Sequence, residues 1–114
     1  MTTLSQKHCL PCEGGVPKLN QAAAAEQLKQ LHDWQINADH TIIHKKFTFS
    51  NFDRTMAFIN ALAWIAHNEN HHPDVQFGYH YCVVSYTTHA INGLSDNDFI
   101  CAAKIDQLAY GIFA

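Results

Sequence analysis

Apolar side chains recur along this chain at two different periods, and the switches between them divide it into seven elements. Strong helix formers run together from Gln21 to Leu31, with Ala24, Leu28 and Leu31 at helical spacing and Asn20 placed to cap them. A first helix is therefore expected, ending near Asp33. Trp34 to Ile36 and Thr41 to Phe49 are rich in β-branched and aromatic residues and flank the polar segment Asn37-Ala38-Asp39-His40, which reads as a hairpin. In the second of these strands Ile43, Lys45, Phe47 and Phe49 share a face, so one lysine points where apolar side chains are expected. Ser50 with Asp53 has the spacing of a capping box and opens a helix to about Asn68, with Phe52, Met56, Ile59, Ala63 and Ala66 as its stripe, widened by Leu62 and Ile65.

Pro73 ends that helix and biases His72 toward extended backbone, so His71-His72-Pro73 sits at a helix-to-strand junction. Val75 to Tyr79 and Tyr81 to Thr88 predict a second hairpin around Gly78 to His80. Ser95 and Asp98 repeat the capping-box spacing and start a last helix carrying Phe99, Ala102, Ala103, Ile105, Leu108 and Ala109 up to Gly111. The order αββαββα is satisfied with short connections by an α+β fold, a four-stranded antiparallel sheet with three helices packed on one face. Residues 1 to 17 show neither period. They are expected to be a flexible or loosely docked leader, with residues 18 to 114 as a single domain.

Composition narrows the class. A chain of 114 residues with 47% apolar content can build one modest core. The net charge of -3 and the scattered lysines and arginines lack the footprint of a nucleic-acid or anionic-membrane binder. No run approaches a membrane span, and no secretory signal pattern is visible, so the expected compartment is the cytoplasm. Cys9, Cys12, Cys82 and Cys101 do not form a disulfide framework and read as reduced thiols, the last two as small core residues. The segment His8-Cys9-x-x-Cys12 invites a zinc reading, but it supplies one cysteine pair where a closed structural site needs four ligands.

The unusual component is histidine, present nine times. Imidazole is the side chain whose unperturbed pKa of about 6.5 suits proton transfer near neutrality. Several of these histidines fall at element ends, where side chains can converge: His67 and His71, four apart and on one face if the helix persists that far, then His72, and His89 at the end of a strand.

The spacing His67-x-x-x-His71-His72-Pro73, Tyr79 after five positions, His89 after nine more, and Asp98 after a further eight resembles that of the pterin-4a-carbinolamine dehydratases, known in animals also as dimerization cofactor proteins. The similarity runs from about Trp34 to the C-terminus and takes in Phe47 to Phe58 and the turn Gly93-Leu94-Ser95. It implies the same element order and a hydro-lyase activity, loss of water from 4a-hydroxytetrahydropterin to give quinonoid dihydropterin, which recycles the cofactor of aromatic amino-acid hydroxylases.

The resemblance further implies His71, His72 and His89 as catalytic residues. His71 and His89 would protonate the leaving hydroxyl and His72 would hold the ring and handle the N5 proton. Substrate contacts would fall on His71, His72 and Pro73 and on Thr88, His89, Ala90 and Ile91, with His67, Tyr79 and Asp98 in support. No metal and no cofactor are implied, the hydroxylase is a functional partner, and a homodimer or homotetramer is expected. Three positions depart from well-known members: His67 where many carry Glu, Ala90 where animal forms have an acid, and Val75 where they have Trp.

Two other readings remain open on the residues alone. His67, His71 and His89 suit a metal-binding enzyme or sensor, and animal relatives bind a transcription factor, which allows an interaction or coactivator module. Asp98 also reads simply as the capping partner of Ser95.

Overall fold

The computed structural model describes residues 3–11 and 16–112. Three α-helices and four strands follow in the order α1 (Gln21–Leu28), β1 (Gln35–Ile36), β2 (Ile43–Thr48), α2 (Phe52–Glu69), β3 (Asp74–Phe77), β4 (Tyr81–Tyr86) and α3 (Asp96–Ile112). Short 3₁₀ turns precede α1 at Leu4–Gln6 and follow β4 at His89–Ile91. The strands form one antiparallel sheet in the order β1-β2-β4-β3, with Ile43 opposite Tyr86 and Asp74 opposite Ser85. The expected α+β architecture is the observed one.

Strand alternation decides which face the helices cover. Ile43, Lys45 and Phe47 of β2 and Cys82, Val84 and Tyr86 of β4 are buried, and the residues between them are more exposed. Phe58 of α2 lands on this face fully buried, its ring centroid 4.7 Å from Phe47 and 5.0 Å from Phe49. Burying a side chain of this size stabilises the fold by about 1.5–3 kcal/mol. Phe99, Ile105 and Leu94 extend the same core from the α3 side.

Several element ends and faces differ from expectation. The α1 helix stops at Leu28, not near Asp33, because Gln30 and Leu31 close tighter i→i−3 turns and Asp33 takes φ 63°. The cap of α2 is Asn51, not Ser50: its extended backbone lets the side chain accept from the Arg54 N–H at 2.8 Å. Its buried stripe is Thr55, Phe58, Leu62, Ala66 and Glu69, offset from the predicted one, so Phe52 is exposed and so is Ala63. Thr55 tolerates burial because its hydroxyl donates to the carbonyls of Asn51 and Tyr79. The last strand ends at Tyr86 instead of Thr88, as Thr87 turns its hydroxyl to the Thr41 carbonyl and Thr88 pairs with Gly93. His89 therefore opens a 3₁₀ turn rather than closing a strand.

Residues of the N-terminal segment lie against α3 and the end of α2. Leu4 is buried in the core, and Lys104 donates to the Ser5 carbonyl. Cys12, half of the cysteine pair considered for zinc, lies outside the described residues.

Candidate active site

The site is built where α2 ends and α3 begins. Asn70 caps α2 in the left-handed region at φ 52°, a conformation asparagine tolerates better than most residues, and its N–H returns to the carbonyls of Ala66 and His67. This reversal takes His71 off the helix, so His67 and His71 do not share a helical face. His67 stays exposed on the last turn, its ring 5.8 Å from that of Trp64.

His71 turns inward instead. It is only 5% exposed, and its Nε2 lies 2.6 Å from Oδ1 of Asp98. Since a carboxylate only accepts, Nε2 carries the proton, and the short distance marks a charge-assisted bond. The imidazole also stacks on Tyr86, with centroids 5.3 Å apart and planes 16° apart. Burial, and then the neighbouring Cys101 thiol, push the Tyr86 phenol well above its ordinary pKa, so it remains a neutral O–H.

Asp98 is itself fully buried and held from several sides. Its Oδ2 accepts from the Thr88 hydroxyl at 2.8 Å and from the Ser95 N–H at 3.0 Å. The Ser95 hydroxyl lies 2.8 Å from Thr88 Oγ1 and accepts from the Asn97 N–H. Half of the capping box predicted from Ser95 and Asp98 forms: the Asp98 carboxylate accepts from the Ser95 N–H, whereas the Ser95 hydroxyl takes the Asn97 N–H in place of that of Asp98, and the same carboxylate fixes the tautomer and the orientation of His71. One buried acid ties together α3, the β4 exit at Thr88 and the α2 exit at His71.

The remaining predicted residues divide on this centre. His72 and Pro73 adjoin His71, and His89, Ala90 and Ile91 directly follow Thr88, so the two exposed histidines leave from the two anchored ends. Tyr79 does not join them. It is 64% exposed in the β3–β4 turn, beside Phe52 at 6.5 Å, at the end of the hairpin opposite the Asp74–Ser85 pairing. Sequence reasoning missed Ser95 as a network member and Tyr86 as the surface on which His71 rests. The signal available for Tyr86 was its inward position in an alternating strand.

A cavity of about 480 Å³ is lined by Thr3, Leu4, His32, Asp106 and Tyr110 among others, and by none of these histidines. It lies about two turns along α3 from Asp98, roughly 12 Å at 1.5 Å per residue. Its titratable groups, His32, Asp106 and Tyr110, belong to none of the motif positions, so the histidine junction and not this cavity is the candidate site. Among the described residues, no group of three or more His, Cys, Asp or Glu side chains is placed to hold a metal ion, and no helix is long and apolar enough to cross a membrane.

The N-terminal segment braces the same junction. Glu69, the last residue of α2, accepts from the Cys9 N–H at 2.7 Å and pairs with His8 Nδ1 at 2.9 Å. Burial opposes its charge, but the Cys9 N–H, His8 and Lys104 outweigh that and hold its carboxyl below the usual range. A carboxyl whose folded pKa is depressed contributes stability above its unfolded value, and that contribution disappears as pH falls through the folded value. Glu69→Gln is accordingly expected to lower stability in urea titrations at pH 7, with the gap to wild type closing as the pH is taken below about 4. A gap independent of pH would rule out the ionised form of Glu69 as the source.

The fold and the junction define an α+β protein with a buried histidine–carboxylate pair between two solvent-facing histidines. The comparisons with known proteins are specific about which one: residues 17–108 match the family described as pterin 4 alpha carbinolamine dehydratase, and the chain belongs to that family. It is 57% identical over 106 residues to a Nitrosomonas eutropha protein named "Putative pterin-4-alpha-carbinolamine dehydratase", covering 92% of each chain. A Legionella pneumophila protein of the same name is 56% identical, over 92% of this chain and 94% of the relative.

Among solved structures, a transcriptional coactivator/pterin dehydratase from Brucella melitensis superposes with a TM-score of 0.78 at 28% identity, covering 82% of this chain and 99% of the other. A pterin dehydratase-like protein described as a RuBisCO assembly factor in the alpha-carboxysome superposes at 0.60, with 26% identity over 68% and 90% of the two chains.

Proposed function

We propose that this protein dehydrates pterin-4a-carbinolamine, using His71, His72 and His89 as acid–base groups and residues 18–114 as the catalytic domain. In the reaction the C4a–O bond breaks, the hydroxyl leaves as water after gaining a proton, and N5 gives up its proton as the C4a=N5 bond forms. One donor and one acceptor suffice, and imidazole serves as either near neutrality, each transfer contributing about 10²- to 10⁴-fold.

The observation that carries the reading is the Asp98 clamp on His71, 2.6 Å long and buried, at the family's motif spacing. It holds one ring in one tautomer while exposed His72 and His89 are left to meet the substrate. The substrate rests against His71, His72 and Pro73 on one side and Thr88, His89, Ala90 and Ile91 on the other. Asp98 positions His71 and does not touch the pterin. The reaction would serve an aromatic amino-acid hydroxylase in the cytoplasm. Exposed Phe77 on edge strand β3, with Phe52 and Tyr79 beside it, supports a homodimer or homotetramer.

Stopped-flow decay of freshly generated 4a-hydroxytetrahydropterin tests the assignment. Wild type is expected to exceed the buffer rate, with His72→Ala and His89→Ala each slower by about 10-fold or more. Wild-type decay no faster than buffer would remove the dehydratase reading. Light scattering on the same preparation should give an assembly mass above one chain; a monomer would remove the oligomer.

A further inference from the structure

Two of the cysteines meet across the molecule. Cys9 Sγ lies 3.5 Å from Cys101 Sγ although the residues are 92 positions apart, and Cys9 Sγ also points at the Asn97 carbonyl at 3.7 Å. Cys101 belongs to the buried face of α3, whereas Cys9 is half-buried. The strand of chain around Cys9 is held in register by three further bonds: Cys9 N–H to Glu69, Leu10 N–H to the Asn97 side chain at 3.0 Å, and Asn97 Nδ2 back to the Leu10 carbonyl at 2.8 Å. Both thiols are therefore fixed at van der Waals contact by groups other than themselves. Bringing the sulfurs to the bond length of about 2.05 Å takes a shift of roughly 1.5 Å, which the non-helical strap can supply while α3 stays put. A cavity of about 280 Å³ lined by His8, Cys9, Leu10, Glu69 and Asn70 opens beside Cys9, room enough for a small oxidant.

We propose that Cys9 and Cys101 form an oxidation site, at which a hydroperoxide closes a disulfide that ties the N-terminal strap to α3. Cys9, the reachable sulfur, attacks the peroxide oxygen as a thiolate; the O–O bond breaks and a sulfenic acid forms with release of water. The Cys101 sulfur then displaces the sulfenic hydroxyl as a second water, and the S–S bond forms. Two thiols and one hydrogen peroxide give one disulfide and two waters. A hydrogen bond with Cys101, followed by burial and the Glu69 carboxylate, holds the Cys9 thiol well above the ordinary range, so closure is slower than oxidation of a free thiol. Cys101 lies one helical turn after Asp98, so the closed bond would anchor the strap beside the network that orients His71.

The test treats the reduced full chain with hydrogen peroxide and maps its peptides without reduction by mass spectrometry. Expected is a Cys9–Cys101 cross-linked peptide, about 2 Da lighter than the two reduced peptides together. It should persist in Cys12→Ser and Cys82→Ser and vanish in Cys9→Ser and Cys101→Ser. Because the bond closes a long loop, the oxidised wild type should also melt at least about 5 °C higher than the reduced one. A Cys9–Cys12 bond, a disulfide between chains, Cys9 over-oxidised without a cross-link, unmodified thiols, or a cross-linked chain that melts no higher would each overturn the site. None of these readouts uses a pterin, so the outcome is separate from that of the dehydratase assay.

Discussion

His71→Ala is expected to lower kcat for carbinolamine decay by about 10²- to 10³-fold, the worth of one positioned acid–base group. The variant that tests the arrangement, and not merely the residue, is Asp98→Asn. The amide has the same shape, so α3 can still start at Ser95. Its Nδ2 is a donor, however, and where it replaces Oδ1 it faces the His71 Nε2–H across the 2.6 Å contact. If the amide rotates so that its oxygen faces His71, the donor instead meets the Thr88 hydroxyl and the Ser95 N–H. One of the two sets of bonds must be lost or reversed: in the first orientation the imidazole loses its fixed tautomer, and in the second the side chain loses the Ser95 N–H bond that holds it in place to position the ring.

The expected outcome for Asp98→Asn is a kcat down by at least about 10-fold with KM changed by less than about 3-fold, since Asp98 is fully buried and offers no surface for a substrate to touch. A larger KM with unchanged kcat would show that Asp98 shapes the binding surface and does not position the reacting histidine. Thermal melts of both variants separate loss of chemistry from loss of fold.

The pairing behind that prediction shows how far the chain's own pattern reaches. Strand alternation in β4 and the Ser95–Asp98 spacing are local properties, and the structure realises both. His71 and Asp98 are 27 positions apart, and their contact depends on how α2 meets α3, which no periodicity reports. Motif resemblance could place both residues in one site but could not say that one clamps the other. The expected α2 stripe is realised only in part for a related reason: Leu62 and Ala66 are buried, but Phe52, a core anchor by hydrophobicity, is exposed, and with Asn51 as cap the buried face begins at Thr55 and Phe58. His67 and His71 would share a face only if the helix persisted to His71, and it ends at Glu69 with the left-handed Asn70 as its cap, close to the Asn68 expected from the sequence. The strap contacts were illegible, since residues 1 to 17 carry no period and their partners, Glu69, Asn97 and Cys101, lie far along the chain.

The lysine that makes the β2 alternation imperfect has a partner that the strand pattern did not name. Lys45 sits mid-strand on the buried face of β2, where an unpaired ammonium would be prohibitively costly. The structure supplies Asp106 of α3, with Nζ 2.9 Å from Oδ1 and both side chains under 10% exposed. The Trp34 indole N–H donates to the same carboxylate at 2.9 Å and the His32 N–H at 3.1 Å. The ammonium also lies 4.6 Å from the Phe47 ring centroid and 5.2 Å from that of Tyr110.

Lys45→Met keeps the stem's length and apolar contacts but strands the carboxylate. The expected cost is about 3–5 kcal/mol in urea unfolding, a large share of a small domain's stability. Adding Asp106→Leu removes the stranded charge, leaving only the Trp34 and His32 donors without their acceptor, at about 1–3 kcal/mol each. The double variant should therefore recover part of the loss, and the coupling between the two sites should exceed about 1 kcal/mol. Since the pair lies about two turns of α3 from Asp98, the folded fraction of Lys45→Met should keep its dehydratase kcat. A Lys45→Met protein within 1 kcal/mol of wild type would mean that water reaches Asp106 from the neighbouring cavity and solvates it, a cavity that the same carboxylate lines.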